Sequence, residues 1–429
     1  MFRHLIVLML LIFPPFLWAA DSLSLPAILL RARDHNPEIL AARHGWKVKL
    51  EEVSPTRAWP DPTFTFTDEK FPSGMAGVDP EHVTHYRIEQ MIPFPGKLSN
   101  ESRMKYHEAL IEEAKYRATT LEVLRDVKAR YYQLYLTDQL IALSQESVAV
   151  MKQALKAAQA RLASGQTSAS DAFMAQTELR RMENMLLEQQ QARILVQIEL
   201  NTLLNQATDT PLGAAQPPEL REVPVELPAL KKLAAFDNPL YLAAMHEINH
   251  SRATMTHHRL QFLPDFGIMA ERETADAGPA GRQIGISVTF PLWLQRPIGL
   301  YQSAKEHLSE AEASSQAMRN RVLKNIHAEY TETNTYLSQT RNYEASILPS
   351  ALSALKTTRQ QYASGQGDFL RLLEAFRTWI QTHNEYQNKL YQYGLHWSEL
   401  ERWQGLPPEK AKEALNQQEV MPMENSHGK

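Results

Sequence analysis

The sequence predicts an α-helical chain with four short amphipathic strands, built from two copies of one structural plan. Three observations lead to this fold class. No glycine or proline occurs between residues 97 and 164. Four short segments alternate apolar with polar residues, and short motifs that contain glycine or proline recur from the first half in the second. The tetrapeptide Ala-Ser-Gly-Gln at 163–166 is repeated at 363–366, and the pair Asn-Pro at 36–37 is repeated at 238–239. A repeat of this size is an architectural property of the whole chain.

Residues 1–20 have the composition of a secretory signal peptide. Arg3 gives a positive start, residues 5–17 form an apolar core, and Ala19 and Ala20 supply small residues for cleavage. An uncleaved membrane anchor is the alternative, although two prolines interrupt this short apolar run. We therefore expect a mature protein that lies outside the cytoplasm.

The first structural repeat, residues 21–207, begins with a helix and continues with a β-hairpin at about 62–92. Phe64 and Phe66 alternate with threonines in its first strand. The hairpin at about 264–292 in the second repeat alternates in the same way. Strands of this length with one apolar face are typical of transmembrane β-strands, and a half-buried soluble sheet has the same pattern.

Four such strands cannot close a barrel, because the smallest known barrels have about eight. An open strand edge is not tolerated in lipid, since its backbone groups would be unsatisfied. After the leader, no segment approaches the roughly 18 apolar residues of a membrane helix. If the strands lie in a membrane, several chains must share one barrel. Three chains would contribute twelve strands in total, with the long helices continuing from them as a tube.

Two long helices follow each hairpin. They are predicted at 97–164 and 168–207 in the first repeat, and at 300–364 and 368–404 in the second. Their residues are dominated by good helix formers, and apolar positions recur at spacings of three and four. The first helix would be about 100 Å long at 1.5 Å per residue. Pro349 is expected to bend the helix that contains it.

The connections between these helices are predicted to be tight turns. Gly165 and Gly365 suit the left-handed conformation at a helix end, and Ser168 and Asp368 suit the N-cap of the next helix. Each pair therefore forms a long helical hairpin. A fibrous coiled-coil structural protein of the periplasm would show the same features, so this alternative stays open on the helices alone.

The remaining segments connect or end the two repeats. Residues 208–236, which are rich in proline, link the repeats, the second repeat spans 237–404, and 405–429 form a polar tail. The formal net charge of −4 gives no reason to expect nucleic acid as a partner. The chain has no cysteine, which excludes disulfides, thiolate metal sites and cysteine nucleophiles. We expect no cofactor.

Taken together, these features resemble the TolC family of outer-membrane efflux ducts over essentially the whole mature sequence. The resemblance rests on the doubled plan, the Asn-Pro pairs, the two Ser-Gly-Gln turns and the stretch 362–377, which is similar to the second periplasmic tip of the family. Residues 89–97, Glu-Gln-Met-Ile-Pro-Phe-Pro-Gly-Lys, resemble the strand-to-helix junction of the heavy-metal branch, which covers cobalt–zinc–cadmium and copper/silver efflux of the RND type.

This resemblance implies a homotrimer in the outer membrane of a Gram-negative bacterium. Its twelve-stranded β-barrel, with four strands from each chain, would lie in outer-membrane lipid and continue into a long periplasmic α-helical barrel. The linker and the tail would form a mixed equatorial region. The partners would be a periplasmic adaptor (membrane fusion) protein and an inner-membrane RND-type pump. Such a duct passively conducts what the pump supplies, here heavy-metal cations, and is not an enzyme.

In the family, the inner helices converge at the tip to a closed constriction lined by acidic residues. The matching positions here are Arg371 and Glu374, so a ring of three arginines and three glutamates would form and could pair internally to hold the gate shut. The alternative is that Arg371 lies on a solvated helix face. Tyr362 matches a tyrosine that ties the closed tip together. The residues that match the adaptor-docking turns are Ser164, Gly165, Gln166, Ser364, Gly365 and Gln366.

One further motif suggests chemistry. His246-Glu247-Ile248-Asn249-His250 fits the H-E-x-x-H zinc signature, in which two histidines hold zinc and the glutamate is the general base. The extended pattern requires a glycine and a third histidine further along, where this chain has Ala253 and Thr256. A zinc metalloprotease is therefore a remote alternative. His246, His250 and His257 share one helical face and are weak candidates for transient metal contact.

Overall fold

The computed structural model describes residues 23–70, 82–165, 168–275 and 281–405. Within these ranges the chain is mostly helical, with one four-stranded sheet. The helices are α1 Leu25–His35, α2 Pro37–Glu51, α3 Lys97–Ala163, α4 Ala169–Leu203, α5 Leu227–Asp237, α6 Pro239–Leu260, α7 Gln295–Asn342, α8 Leu348–Ala363 and α9 Phe369–Gln404. The strands are β1 Thr63–Lys70, β2 His82–Ile92, β3 Asp265–Ala275 and β4 Gly281–Thr289.

The chain divides into two compact units. The first, here called the hairpin unit, lies within Met1–Arg31, Val127–Leu220 and Gln339–Gly394. Its core is formed by apolar side chains of α3, α4, α8 and α9, with Met151, Leu179 and Phe376 among the buried residues.

The second unit, here called the sheet unit, lies within Ala32–Asp126, Arg221–Ser338 and Leu395–Lys429. It contains the four strands, and one of its hydrophobic clusters joins α5, α7 and the end of α9 through Leu233, Ile326 and Leu400. The core of each unit is thus assembled from segments that are far apart in the sequence.

The two Asn-Pro pairs are helix starts. The side chain of Asn36 accepts hydrogen bonds from the backbone N–H groups of Glu38 and Ile39, at 2.9 and 3.3 Å. Asn238 caps α6 in the same way through the N–H of Tyr241 at 3.1 Å. In both copies proline is the first helical residue, where its missing N–H costs nothing. The repeated Asn-Pro pair therefore marks the same break between two helices in each copy.

The sheet is an antiparallel meander with strand order β1-β2-β3-β4. Each repeat contributes one hairpin, and β2 pairs with β3 to join the two copies. The small and polar residues at 274–282 predict the loop of the second hairpin. In the structure, the first two of these residues end β3 and the last two begin β4. Gly281 pairs across the hairpin with Glu273, and Arg282 pairs with Arg272.

The predicted helix 97–164 is observed as Lys97–Ala163, and 168–207 as Ala169–Leu203. The predicted helix 300–364 is observed from Gln295 to Ala363, with a π-helical turn at Tyr343–Ile347 between α7 and α8. Pro349 explains the division, since a proline lacks the N–H that would bond to the carbonyl four residues earlier. The helix 368–404 is observed as Phe369–Gln404.

The predicted helix ends are glycines, and both have the expected conformation. Gly165 and Gly365 have φ values of +72° and +80°. Asp368 is a true N-cap, because its Oδ1 accepts from the N–H of Arg371 at 2.8 Å. Ser168 occupies the N-cap position of α4 with extended backbone, but its side chain makes no capping bond. Within the predicted linker 208–236, α5 begins at Leu227.

Some predictions fall outside the described residues. These are the signal peptide at 1–20, the loop predicted at 72–80 of the first hairpin, Gln166, and the tail beyond Gly405. Among the helices that the structure does describe, none is both long and apolar enough to cross a membrane.

Candidate functional site

Two helix-to-helix turns lie at one end of the hairpin unit. The first contains Ser164 and Gly165, and the second contains Ser364, Gly365 and Gln366. Neither glycine has any atom within 4 Å of the position a Cβ would occupy, so the left-handed backbone and not crowding requires glycine. Exposed apolar side chains lie close in sequence to both turns: Leu162 is 38% exposed, Phe173 68% and Leu370 58%. Such exposure is typical of a surface that another protein covers.

Tyr362, predicted to tie the tip together, connects α8 to α3. The Arg161 guanidinium donates a hydrogen bond to the Tyr362 carbonyl oxygen and lies 4.3 Å from the centre of its ring. The ring also packs edge-on against Phe369 at a centroid distance of 5.9 Å. The Tyr362 hydroxyl is buried and has no hydrogen-bond partner among the described residues. Within this chain the carbonyl and the ring, not the hydroxyl, therefore make the contact.

A second connection between the two helical hairpins was not predicted from the sequence. Glu178 of α4 is only 2% exposed, and both its carboxylate oxygens accept hydrogen bonds from Arg377 of α9, with Nε–Oε1 at 3.1 Å. Arg181 adds a longer contact at 3.5 Å. The bond to Glu178 raises the pKa of Arg377. A bidentate pair with one buried partner fixes geometry more strongly than an exposed pair.

A signal for this buried pair was present in the sequence. Glu178 falls on the apolar stripe of α4, between Ala175 and Leu179 and four residues before Met182, all of which are buried. An acidic residue at such a position needs a partner, because burying an unpaired charge is costly. The partner is 199 residues away in the sequence and becomes visible only in the structure.

The predicted gate residues Arg371 and Glu374 are both exposed on α9. Arg371 has an acidic neighbour on the same helix end: its Nε lies 3.9 Å from Oδ2 of Asp368, with both side chains largely exposed. The charged positions at this helix start are therefore Asp368, Arg371 and Glu374. The assignment of a gate to them stays a prediction.

In the sheet unit, the strands have two unlike faces. One face is apolar and exposed, and we call it the apolar face. Ile284 and Ile286 on it are 85% and 79% exposed. The register places its side chains in rows that cross all four strands. Its members include Phe64, Phe66, Tyr86, Ile88, Phe266, Ile268, Ala270, Ile284, Ile286 and Val288.

The opposite face, here called the polar face, carries charged side chains that pair with one another. Glu271 accepts hydrogen bonds from Arg87 at 2.8 Å and contacts His85 at 2.7 Å. Glu69, Glu89 and Glu273 lie on the same face by register. By register the described polar face therefore carries four glutamates, Asp265 and one arginine, apart from His85. An apolar face opposite an acidic polar face is the arrangement of a strand between lipid and water.

The H-E-x-x-H residues do not form a catalytic centre. His250 lies 3.7 Å from Glu247 on the same helix, whereas His246 stacks on His107 with ring centres 6.3 Å apart. Nδ1 of His257 is buried without a hydrogen-bond partner in the described chain. Across the residues that the structure describes, no group of three or more His, Asp or Glu side chains is arranged to hold a metal ion.

Comparisons with known proteins agree with this geometry. The family model described as outer membrane efflux protein matches residues 28–206 and 231–405, one stretch in each repeat. The cobalt-zinc-cadmium resistance protein CzcC of Cupriavidus metallidurans is 23% identical over 282 residues, which cover 64% of this chain and 66% of that protein. The match thus spans just under two thirds of this relative.

Solved structures show the same fold. A crystal structure of CusC superimposes with a TM-score of 0.78 at 16% identity, covering 89% of this chain and 92% of that one. The outer membrane protein VceC of Vibrio cholerae gives a TM-score of 0.75 at 18% identity, covering 89% and 96%. At this identity the likeness establishes the fold alone.

Proposed function

Since this chain belongs to the outer membrane efflux protein family, whose members are channels and not enzymes, we propose that three copies assemble into the outer-membrane duct of a tripartite efflux system. The protein resides in the outer membrane of a Gram-negative bacterium and extends into the periplasm. Neither the zinc metalloprotease nor the coiled-coil structural protein receives support from the comparisons.

We infer the trimer from the open four-stranded sheet and its exposed apolar face. β1 and β4 are the edges of the described sheet, and each would leave a row of backbone groups unsatisfied in lipid. Ile284 and Ile286 are almost fully exposed in a single chain, which is costly in water. Pairing β4 of one copy with β1 of the next satisfies the backbone groups of both edges, and the closed barrel places the isoleucines against lipid. Three copies give twelve strands, an even number within the range of closed barrels.

The partners are a periplasmic adaptor and an inner-membrane RND-type pump. The described turn residues 164–165 and 364–366 are close in sequence to Leu162, Phe173 and Leu370, whose exposure offers an adaptor apolar contact area. Open glycine turns allow a second chain to approach the backbone closely. We place the adaptor contact at these turns.

The constriction is assigned to the start of α9. Arg371 and Glu374 are exposed there, and three copies would bring three of each together, accompanied by Asp368. The contacts of Arg161 with Tyr362 and of Arg377 with Glu178 hold α8 and α9 against α3 and α4. These contacts would keep the constriction in its closed arrangement.

We infer that the exported substrates are heavy-metal cations. The relative CzcC is named for resistance to cobalt, zinc and cadmium. The polar face supports the inference, because its four glutamates against one arginine would give a trimeric lumen an excess of negative charge. Transport through such a lumen needs no cofactor and no catalytic residue.

Fractionation followed by single-particle imaging tests the assembly. We expect a heat-modifiable trimer in the outer-membrane fraction, with an image of threefold symmetry and a helical tube beyond the detergent belt. A monomer or dimer in the periplasmic fraction would contradict the duct.

Metal tolerance of a deletion strain tests the substrate. We expect the strain to lose tolerance to cobalt, zinc and cadmium or to copper and silver, and complementation to restore it. Unchanged metal tolerance with increased sensitivity to organic toxicants would leave the duct intact and refute the metal substrate.

A further inference from the structure

Two arginines face each other on the apolar face of the sheet. Arg272 of β3 and Arg282 of β4 are direct cross-strand partners, and both are exposed. Like charges directly opposite on neighbouring strands are destabilising. This pair therefore requires a compensating interaction.

The described chain does not provide that interaction. Among the described residues, no hydrogen bond or ion pair involves either guanidinium, whereas Arg87 on the polar face is paired with Glu271 at 2.7 Å. The acidic position nearest to them by register on the same face is Asp68, which lies one row further along and on β1, two strands away from Arg272. The missing counter-charge therefore lies outside the described chain.

The row that contains the pair marks a boundary of the apolar face. The register places Phe66, Tyr86, Arg272 and Arg282 side by side, and the Phe66 and Tyr86 rings are 5.5 Å apart. The next rows towards the helices are apolar, with Ile284 and Ile286 on β4. Aromatic residues flank the apolar band of membrane strands at the level of the lipid headgroups. The two arginines are thus at headgroup level.

We propose that Arg272 and Arg282 form a binding site for a phosphate-bearing outer-leaflet lipid, whose headgroup phosphate bridges the two guanidiniums while its acyl chains cover the isoleucines below. This inference rests on the proposed outer-membrane duct. The pair lies at the strand ends that adjoin residues 276–280, opposite the ends that lead to α6 and α7, so it belongs to the outer leaflet.

The chemistry of the pair favours phosphate over other anions. An arginine guanidinium presents a planar fork that binds phosphate oxygens in a bidentate manner. A headgroup phosphate offers several oxygens and at least one negative charge, which two arginines can share. Each basic side chain near an anionic membrane surface contributes about 1 kcal/mol to binding. Two of them predict about 30-fold stronger retention of a phosphorylated lipid than of its dephosphorylated form.

Native mass spectrometry of the purified trimer tests the site with two lipids, diphosphoryl lipid A and lipid A from which both phosphates have been removed. We expect the wild-type trimer to retain the phosphorylated lipid preferentially. Arg272→Gln/Arg282→Gln should lose most of this preference, and Arg272→Lys/Arg282→Lys should keep part of it. Arg87→Gln removes the same charge from the polar face and should leave retention unchanged. Only preparations that form trimers and conduct in planar bilayers are compared.

The outcomes separate this inference from the proposed function. A wild-type protein that forms no membrane trimer refutes the duct itself. A conducting trimer that retains both lipids equally refutes the lipid site alone. Inorganic phosphate at millimolar concentration should not displace the lipid, and full displacement would show a site for the free anion. Asp68→Asn should leave retention unchanged, and a clear gain would show that Asp68 of an adjoining copy, and not the lipid, supplies the counter-charge.

Discussion

His107 of α3 and His246 of α6 are two residues that link the stability of the sheet unit to pH. Nδ1 of each ring is buried and has no hydrogen-bond partner among the described residues. Burial lowers the pKa of both imidazoles, and for His107 the nearby His246, His250 and Arg103 lower it further. For His246, Glu113 opposes the effect of burial. Both histidines are therefore neutral in the folded protein at pH 7.

The expected pH dependence follows from these directions. An unfolded histidine has a pKa near 6.5, so the unfolded state binds protons before the folded state as the pH falls. The stability present above pH 6.5 is then lost as the pH falls through the lower folded pKa values. We expect the apparent thermal midpoint to drop less between pH 7.5 and 5.5 in His107→Gln/His246→Gln than in the wild type, as measured by circular dichroism in detergent.

The matched control for this prediction is His307→Gln. His307 is 68% exposed and contacts only its helical neighbour Glu310 in the described chain. Its replacement should leave the pH profile unchanged. A double variant whose midpoint falls as steeply as that of the wild type would show that other groups cause the acid sensitivity.

For single residues, the sequence predicted contacts with nearby residues better than contacts between residues far apart in the chain. The conformations of Gly165 and Gly365 and the cap at Asp368 depend on neighbours within a few residues, and they were predicted. The pair of Glu178 with Arg377 joins residues 199 positions apart and was missed. The apolar stripe around Glu178 indicates its burial, but the sequence does not identify Arg377 as its partner.

At the scale of elements, the strands could be predicted because alternation with a period of two is a local signal. The sequence also placed the long helices to within a few residues, since glycine and proline mark their ends. It did not predict the π-helical turn at Tyr343–Ile347. Pro349 cannot donate a backbone hydrogen bond, and how the helix adjusts to this loss depends on the hydrogen bonds of the surrounding residues, which the sequence does not show. The facing pair Arg272 and Arg282 was also missed, since it requires the strand register.

The two faces of β4 predict opposite effects for the same substitution. Ile286 is in the middle of the apolar face and 79% exposed, and a lysine at the centre of the bilayer costs about 2–4 kcal/mol. Ile286→Lys should therefore reduce the amount of trimer in the outer membrane at least tenfold, measured by fractionation and heat-shift electrophoresis. Gln283→Lys adds the same charge to the polar face of the same strand and should assemble normally. Equal assembly of the two variants would contradict the assignment of the lipid-facing side.

In the whole molecule, the sheet unit and the hairpin unit have different roles. The sheet unit supplies strands that other copies must complete, and the hairpin unit supplies helices whose ends carry the predicted constriction. Two contacts within the hairpin unit connect the first helical hairpin to the second: Arg161 with Tyr362, and Arg377 with Glu178. If the duct opens by separation of the two helical hairpins, these two contacts stabilise the closed state relative to the open state.

Weakening both contacts should therefore open the duct. Arg161→Ala/Arg377→Ala removes the donors from both, and leaves Glu178 buried with only the 3.5 Å contact to Arg181. Loss of hydrogen bonds to a charged group costs about 1.5–3 kcal/mol, which is enough to shift a closed state towards an open one by tenfold or more. We expect a higher single-channel conductance in planar bilayers. The control is Arg180→Ala, because Arg180 is 72% exposed and pairs with Glu183 of its own helix at 2.7 Å. A double variant that assembles as a trimer yet conducts like the wild type would show that the closed state depends on contacts between copies and not on these two.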